Sequence, residues 1–452
     1  MHLLTQHGLV VLGVLLIALT VIFVLQQRRT PQSSAAWVLF IVLVPYLAIP
    51  LFLMLGFRKQ GSRFPPVSLT DVPTDDAAST PETRLLGSFG APLASGGNTL
   101  AIHDTAHRAR EALFATIDSA NDTLDILFYI VAADAAGQDF VERLTAKARA
   151  GVKVRLNIDR LGSLSRPVDA LKELASAGGE VRFFSPLLHP PDNGHMNLRN
   201  HRKLVIADRS LVWSGGRNVG VHYLGPRDET WTDLSFCVSG PAVQPFIDIF
   251  ASDWDVTGKA VSGDLRRRNC HEGRGNAVLQ VIPSGPDEPR DILYVALTTM
   301  IHSAQSRVWI STPYFVPTEP LQLALGAAVQ KGLDVRIMVP QKSNQFTTDF
   351  ARGPYLRDLQ GLGANVLCHQ GGMLHAKAGL VDDTGWVGSA NFDVRSLLLN
   401  FELAMFCHDP GSTGRLETWF EDQFKECTPG IGNASLPRRV VEGIFRLGAP
   451  VL

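Results

Sequence analysis

Residues 196–218 read MNLRNHRKLVIADRSLVWSGGRN. Within them His201 and Lys203 stand two places apart, Asp208 follows Lys203 after four residues, and Gly215-Gly216-x-Asn218 closes the stretch. HRKLVIAD is rich in branched aliphatic residues, which predicts a strand, and on a strand positions i and i+2 point to one face. His201 and Lys203 therefore project together. Asp208 has the opposite parity, so it need not share that face. The glycine pair beyond it permits a tight hairpin that brings Asn218 back beside the imidazole.

One His-x-Lys is a common accident, but here the pattern returns. Residues 374–393, LHAKAGLVDDTGWVGSANFD, carry His375, Lys377 and Asp382 at the same spacing, then Gly388-Ser389-x-Asn391. The surroundings repeat as well. ATIDSANDTLDILFYIVAAD (115–134) and GVKVRLNID (151–159) have counterparts in TMIHSAQSRVWISTPYFVP (299–317) and GLDVRIMVP (332–340). Strands alternating with helical stretches of a dozen residues or more predict parallel sheets covered by helices. The chain is thus expected to fold as two α/β lobes, residues 99–262 and 277–430, related by a pseudo-twofold and joined by a connector, 263–276.

If the lobes meet across that pseudo-twofold, two sets of imidazole, ammonium and amide converge. Such a pocket suits a phosphodiester. One imidazole attacks phosphorus and the other protonates the leaving oxygen, while lysine and asparagine donors, with Ser389, hold the non-bridging oxygens. The mechanism needs no metal or organic cofactor. An attacking imidazole works better when a carboxylate holds its other nitrogen. Asp233 in TWTDLSF and Glu402 in LNFELAM lie on strand-like stretches downstream of the first and second motif and are the candidates for that task.

A formal charge of −1 argues against a partner held by charge alone, such as bulk nucleic acid. The N-terminus points to a membrane instead. Gly8 to Leu25 and Ala35 to Phe57 are uncharged stretches of 18 and 23 residues, each long enough to cross a hydrocarbon layer. They predict a transmembrane hairpin over 1–57, followed by a Pro- and Asp-rich linker, 58–98. Arg28 and Arg29 in the hairpin loop, set against Arg58, Lys59 and Arg63 after it, lean toward lobes on the cytoplasmic side of a cell membrane. The tail 431–452 contains LPRRVVEGIFRLGAPVL, where Val440, Val441, Ile444, Phe445 and Leu447 are expected on an apolar face edged by Arg438, Arg439 and Arg446. That helix either lies in a lipid interface or packs on the lobes. Five scattered cysteines, with no C-x-x-C pair, read as small apolar residues.

At the paired H-x-K-x4-D motifs the chain resembles the phospholipase D superfamily. RNHRKLVIAD, GGRNVGVHYLG, STPYFVP, MLHAKAGLVDD and GSANFDVRSLLLNFE, beside the two apolar stretches, are similar to the bacterial cardiolipin synthases. The resemblance implies a phosphatidyl transfer through a phosphohistidine, with two phosphatidylglycerols giving cardiolipin and glycerol, the motif residues His201, Lys203, Asp208, His375, Lys377 and Asp382 as the catalytic groups, His201 as nucleophile, His375 as acid and base, and Asp233 and Glu402 as partners of the histidines. Thr318 stands where these enzymes usually carry an acid. Transfer to water, as in a hydrolytic phospholipase D, uses the same groups and stays open, whereas charge and membrane hairpin disfavour a nuclease. Oligomeric state is not legible.

Overall fold

The computed structural model describes residues 2–27, 31–56, 64–70, 80–184, 198–226, 230–258, 265, 275–288 and 290–447. The first lobe contains β1 (Ser95–His103), β2 (Thr123–Phe128), β3 (Lys153–Asp159), β4 (Glu180–Phe184), β5 (Leu204–Ala207), β6 (Leu211–Gly215) and β7 (Ser235–Ser239). The second contains β8 (Ala277–Ser284), β9 (Arg307–Ser311), β10 (Phe315–Val316), β11 (Asp334–Pro340), β12 (Asn365–His369), β13 (Ala378–Val381), β14 (Thr384–Gly388), β15 (Phe392–Asp393), β16 (Glu402–Cys407) and β17 (Cys427–Pro429). Strand orders β4-β3-β2-β5-β6-β7-β1 and β12-β11-β9-β13-β14-β16-β8 match position for position, so the duplication read in the sequence is a duplication of topology.

The sheets are mixed rather than parallel. Within the large sheets β2-β3-β4 and β9-β11-β12 run parallel, as does the small separate pair β10-β15. Each H-x-K strand instead begins a hairpin, β5-β6 or β13-β14, whose short connection permits only antiparallel pairing. Its turn lies at Asp208 and Arg209, or at Asp382, all with φ near +50°. The glycines expected to make that turn sit at the far end of the second strand.

Each lobe covers its outer sheet face with helices, such as Ala106–Ser119 and Ala135–Arg149 on one side and Ile292–Ser303 and Glu319–Gln330 on the other. Between the lobes runs a third, shared core. Leu204, Ile206 and Phe236 meet Leu279, Ala376, Leu380 and Leu403 there, together with Phe246 and Trp254 of helix Val243–Thr257 and Phe420 of helix Pro410–Lys425. The two sheets also join edge to edge, β1 pairing antiparallel with β8 through a bulge.

Parts of the expected linker belong to the body. Phe64 packs against Phe184 and Phe401, the Thr70 N–H donates to Asp248 at 2.7 Å, and helix Pro81–Ser88, with a Thr80–Thr83 capping box, buries Leu86 in the second lobe. β1 begins inside it as well. Residues 57–63 and 71–79, like Arg28, Arg29 and Cys270, lie outside the described residues. Among the described cysteines, Cys368 and Cys407 are buried, Cys237 and Cys427 half-buried, and none is disulfide-bonded.

Among the described residues one helix, Gln6–Gln26, is long and apolar enough to cross a membrane. The second apolar stretch is not one helix. It divides into Pro31–Leu43 and Pro45–Leu55, because Pro45 cannot continue the hydrogen-bond ladder. Trp37 and Phe52 rings are 5.1 Å apart, whereas fifteen residues of straight helix span about 22 Å, so the second piece folds back on the first. Phe23 of the long helix meets Phe52 at 6.2 Å and closes a small apolar cluster.

Arg202 ties the lobes together at their centre. Facing away from His201 and Lys203, it pairs with Asp253 of the first lobe at 2.7 Å and Asp287 of the second at 2.9 Å, and donates to the Glu402 carbonyl at 3.0 Å. All three side chains are buried. Removing the cation strands two carboxylates, so Arg202→Ala is expected to lose about 3 to 5 kcal/mol of stability in denaturant unfolding. A loss below about 1 kcal/mol would show that the clamp is dispensable.

Candidate active site

The H-x-K residues stand just before β5 and β13 rather than within them, and cross-lobe backbone bonds set their position in the seam between the lobes. His201 N–H donates to the Phe401 carbonyl at 2.9 Å, and His375 N–H to the Thr232 carbonyl at 2.7 Å. These bonds place the first residues of each motif beside a carboxylate of the other lobe. His201 Nδ1 lies 2.9 Å from Glu402 Oε1, and His375 Nδ1 lies 2.6 Å from Asp233 Oδ2. Both carboxylates picked out in the sequence reach an imidazole, but in exchange: each contacts the one it does not follow. Spacing along one motif could not reveal that, because the pairing exists only once the lobes dock.

Room for these pairs is made by the small residues after each hairpin. A Cβ on Gly216 would fall 2.3 Å from Asp233 Oδ1. Ser389, its counterpart, donates its hydroxyl to Glu402 Oε2 instead. Ser389 therefore acts behind His201 and does not line the cavity, contrary to the expected role in substrate binding. Asn218 and Asn391 do line it, as do His201 and His375.

The ammonium groups of Lys203 and Lys377 are buried, each donating to the carbonyl of its own histidine. Lys377 Nζ also lies 2.9 Å from His375 Nδ1. Burial lowers both lysines, Lys377 to about 8 and Lys203 well below its usual value. Burial also lowers the imidazoles, His201 to about 4 and His375 to about 3, the latter helped by the Lys377 charge. Burial works the other way on Asp233, but Lys377 and His375 hold it below the carboxylate range. The site gathers basic side chains whose ionisation burial suppresses, and an anion bound among them would offset that cost.

Asp208 and Asp382, expected among the catalytic groups, sit at the opposite end of their strands. Asp208 accepts from the N–H groups of Asn121, Asp122 and Thr123 at 2.8 to 2.9 Å, and Asp382 from those of Gln305, Ser306 and Arg307. Each carboxylate caps the loop that feeds the first strand of a parallel trio, β2 or β9. Their role is structural.

Sequence reasoning missed much of the rim. The cavity, of about 160 Å³, is also lined by Tyr129, Arg199, Tyr223, Tyr314, Asn344, Gln345, Asp393 and Arg395. Spacing of two reaches some of these, Arg199 two before His201 and Asp393 two after Asn391, whereas Arg395 comes in on the short helix Val394–Leu398. The tyrosines pack on the imidazoles, Tyr129 on His201 at 4.9 Å and Tyr223 on His375 at 5.3 Å. Arg199 pairs with Asp159 at 3.5 Å, and burial lifts Asp393 to about 6.

Two topologically matched lobes exchanging carboxylates across a histidine-lined seam define a phospholipase D-type fold. A family model described as "Cardiolipin synthase, PLD-like domain" matches residues 113–254 and 297–424. Cardiolipin synthase A of Pseudomonas aeruginosa is 31% identical, covering 99% of this chain and 95% of the relative. The major cardiolipin synthase ClsA of Bacillus subtilis is 31% identical, over 97% and 98%. Phosphatidylserine synthase of Haemophilus influenzae superposes with a TM-score of 0.60 over 78% of this chain and 95% of that one, at 15% identity, and shares the fold. The chain belongs to the cardiolipin synthase family, phosphatidyltransferases of the phospholipase D superfamily.

Two outcomes follow from the geometry. Asp208→Ala is expected to lower stability by about 1 kcal/mol, the carboxylate being partly screened by solvent, while activity per folded molecule is retained. Backbone N–H groups depress the Asp208 pKa despite partial burial, so its contribution is full above the ordinary carboxylate range and lost as pH falls through the depressed value. Wild type and variant should therefore converge in stability at acid pH, and loss of turnover at unchanged stability would return Asp208 to the chemistry. For Lys377, loss of its proton as pH rises through about 8 should give kcat/KM a falling basic limb. Lys377→Arg, which keeps its charge, should push that limb above about pH 10.

Proposed function

We propose that this chain makes cardiolipin by moving a phosphatidyl group from one phosphatidylglycerol to another through a phosphohistidine on His201. The observation that carries the reading is the pair of buried imidazoles, each tied at Nδ1 to a carboxylate of the opposite lobe. A carboxylate at Nδ1 holds the proton there and leaves the Nε2 lone pair for reaction.

In this scheme His201 Nε2 attacks phosphorus, the P–N bond forms and the P–O bond to glycerol breaks. The departing oxygen takes a proton from His375. The hydroxyl of the second phosphatidylglycerol then returns a proton to His375 as its oxygen attacks phosphorus, the P–N bond breaks, and cardiolipin leaves. Lys203, Lys377, Asn218 and Asn391 hold the non-bridging oxygens, which spread the negative charge of the transition state. Burial, then the Lys377 charge, keep His375 low in the free protein; a bound phosphodiester would offset the charge, so substrate itself helps prepare the acid. No metal has a step in this chemistry. The assignment of His201 to attack follows the superfamily resemblance; the local pairing is alike at both histidines.

The helix Gln6–Gln26, with the folded-back pair beside it, anchors the enzyme in the cell membrane. The basic residues flanking the apolar stretches favour lobes on the cytoplasmic face.

Purified protein given phosphatidylglycerol should yield cardiolipin and free glycerol by mass analysis; phosphatidic acid alone would make it a hydrolase. His375→Asn, offered a lipid with an activated leaving group, should accumulate phosphatidyl on His201. Adduct on His375 in His201→Asn, with none on His201, would reverse the roles.

A further inference from the structure

The helix Leu436–Leu447 is mounted inside out. An amphipathic helix at the surface of a folded domain normally buries its aliphatic stripe and exposes its charges. Here Leu436, Val440 and Ile444, one above another at i, i+4 and i+8, are 76%, 57% and 61% exposed, while the Glu442 carboxylate is fully buried. Glu442 is held by Arg357 and, at 3.0 Å, by Arg438. Gly353 makes room for it, since a Cβ there would lie 2.6 Å from Glu442 Oε1. Phe445 joins the buried side, stacking on Phe350 at 5.4 Å. Two residues of helix turn the chain by about 200°, so fixing Glu442 inward fixes Ile444 outward.

The exposed stripe does not stand alone. Phe445 also meets Phe346 at 6.0 Å, and Phe346, at the start of helix Phe346–Leu362, is itself 67% exposed. Asn344 and Gln345, the two residues before it, line the catalytic cavity. An apolar border thus runs from the tail helix to the mouth of the cavity, and exposed Arg439 and Arg446 lie together along one edge of the helix.

We infer that this border is a docking surface for an anionic phospholipid bilayer. It seats the cavity mouth against the leaflet from which lipid enters. Aliphatic side chains outward, arginines at the flank and a helix axis held parallel to the body are what a bilayer interface accepts: acyl chains take the stripe, and anionic headgroups take the guanidinium groups. The inference goes beyond the transfer reaction but rests on that phospholipid reading for one of its two tests.

The first test is independent of activity. Full-length protein in nanodiscs of phosphatidylcholine and phosphatidylglycerol, doped with a phospholipid carrying a diazirine on its acyl chain, is photolysed and mapped by mass spectrometry. Adducts are expected within 436–447 as well as within the Gln6–Gln26 helix. Adducts on the N-terminal helix with none on the tail, or tail cross-links to a second copy of the chain, would overturn the inference. The second test compares Val440→Asp/Ile444→Asp with wild type on phosphatidylglycerol in bilayers and on a short-chain phosphatidylglycerol dissolved as monomer. The ratio of bilayer to monomer turnover should fall about tenfold or more, and the tail adducts should vanish. Equal losses on both substrates would assign the stripe a structural role and overturn the proposal. Tail adducts in a wild-type protein that converts neither lipid would sink the transferase reading and leave the docking surface standing.

Discussion

A buried imidazole needs a fixed partner at one nitrogen before the other can do chemistry, and in this protein that partner always comes from across the seam. Glu402 of the second lobe holds His201, and Asp233 of the first holds His375. Neither lobe alone contains a complete histidine. The shared apolar core, the reciprocal backbone bonds at Phe401 and Thr232, and the Arg202 clamp between Asp253 and Asp287 all serve that one requirement. Duplication therefore yields one site, and the lobes are coupled through its reacting groups as well as through their packing.

The electrostatics follow from the same convergence. Burial in the seam raises the cost of ionising its two lysines and two histidines, and their mutual repulsion adds to it. The carboxylates Asp233 and Glu402 offset only part of that cost, which is why the imidazoles lie near 3 and 4 and Lys377 near 8. A phosphodiester anion in the cavity supplies the missing negative charge. Affinity for an anion and poor ionisation of the free site are then two views of one arrangement.

Local pattern carried a good part of this. The i, i+2 placement of His201 with Lys203 and of His375 with Lys377 stated their common face, and the repeat of that pattern stated the two lobes. What local pattern could not carry was anything decided by docking. Asp208 looked like a member of the reacting set because it recurs at fixed spacing, yet recurrence came from a shared structural need, the loops at Asn121–Thr123 and Gln305–Arg307. The partner of each histidine was chosen across the seam, where sequence distance has no meaning. Ser389 matched a glycine in the repeat, and its hydroxyl found Glu402 only after the second lobe closed on the first. In the second apolar stretch, length and hydropathy read as one continuous helix, and Pro45 divides it in two.

The pseudo-twofold is also broken where it bears most on substrate. After Asn391 the second lobe places Asp393 and Arg395 in the cavity wall; after Asn218 the first lobe has Gly220 and His222 at the matching positions, with His222 stacked on Trp231 at 5.3 Å. Arg199, two residues before His201, likewise has Met373 as its counterpart. The guanidinium groups of Arg199 and Arg395 therefore gather on the His201 side with Tyr129, while Tyr223 and Trp231 flank His375. A symmetric cavity would accept a phosphodiester in two equivalent orientations. Arginines beside one histidine, with no counterpart at the matching positions beside the other, remove that equivalence, so identical histidine chemistry on the two lobes meets the two ends of a substrate in different surroundings.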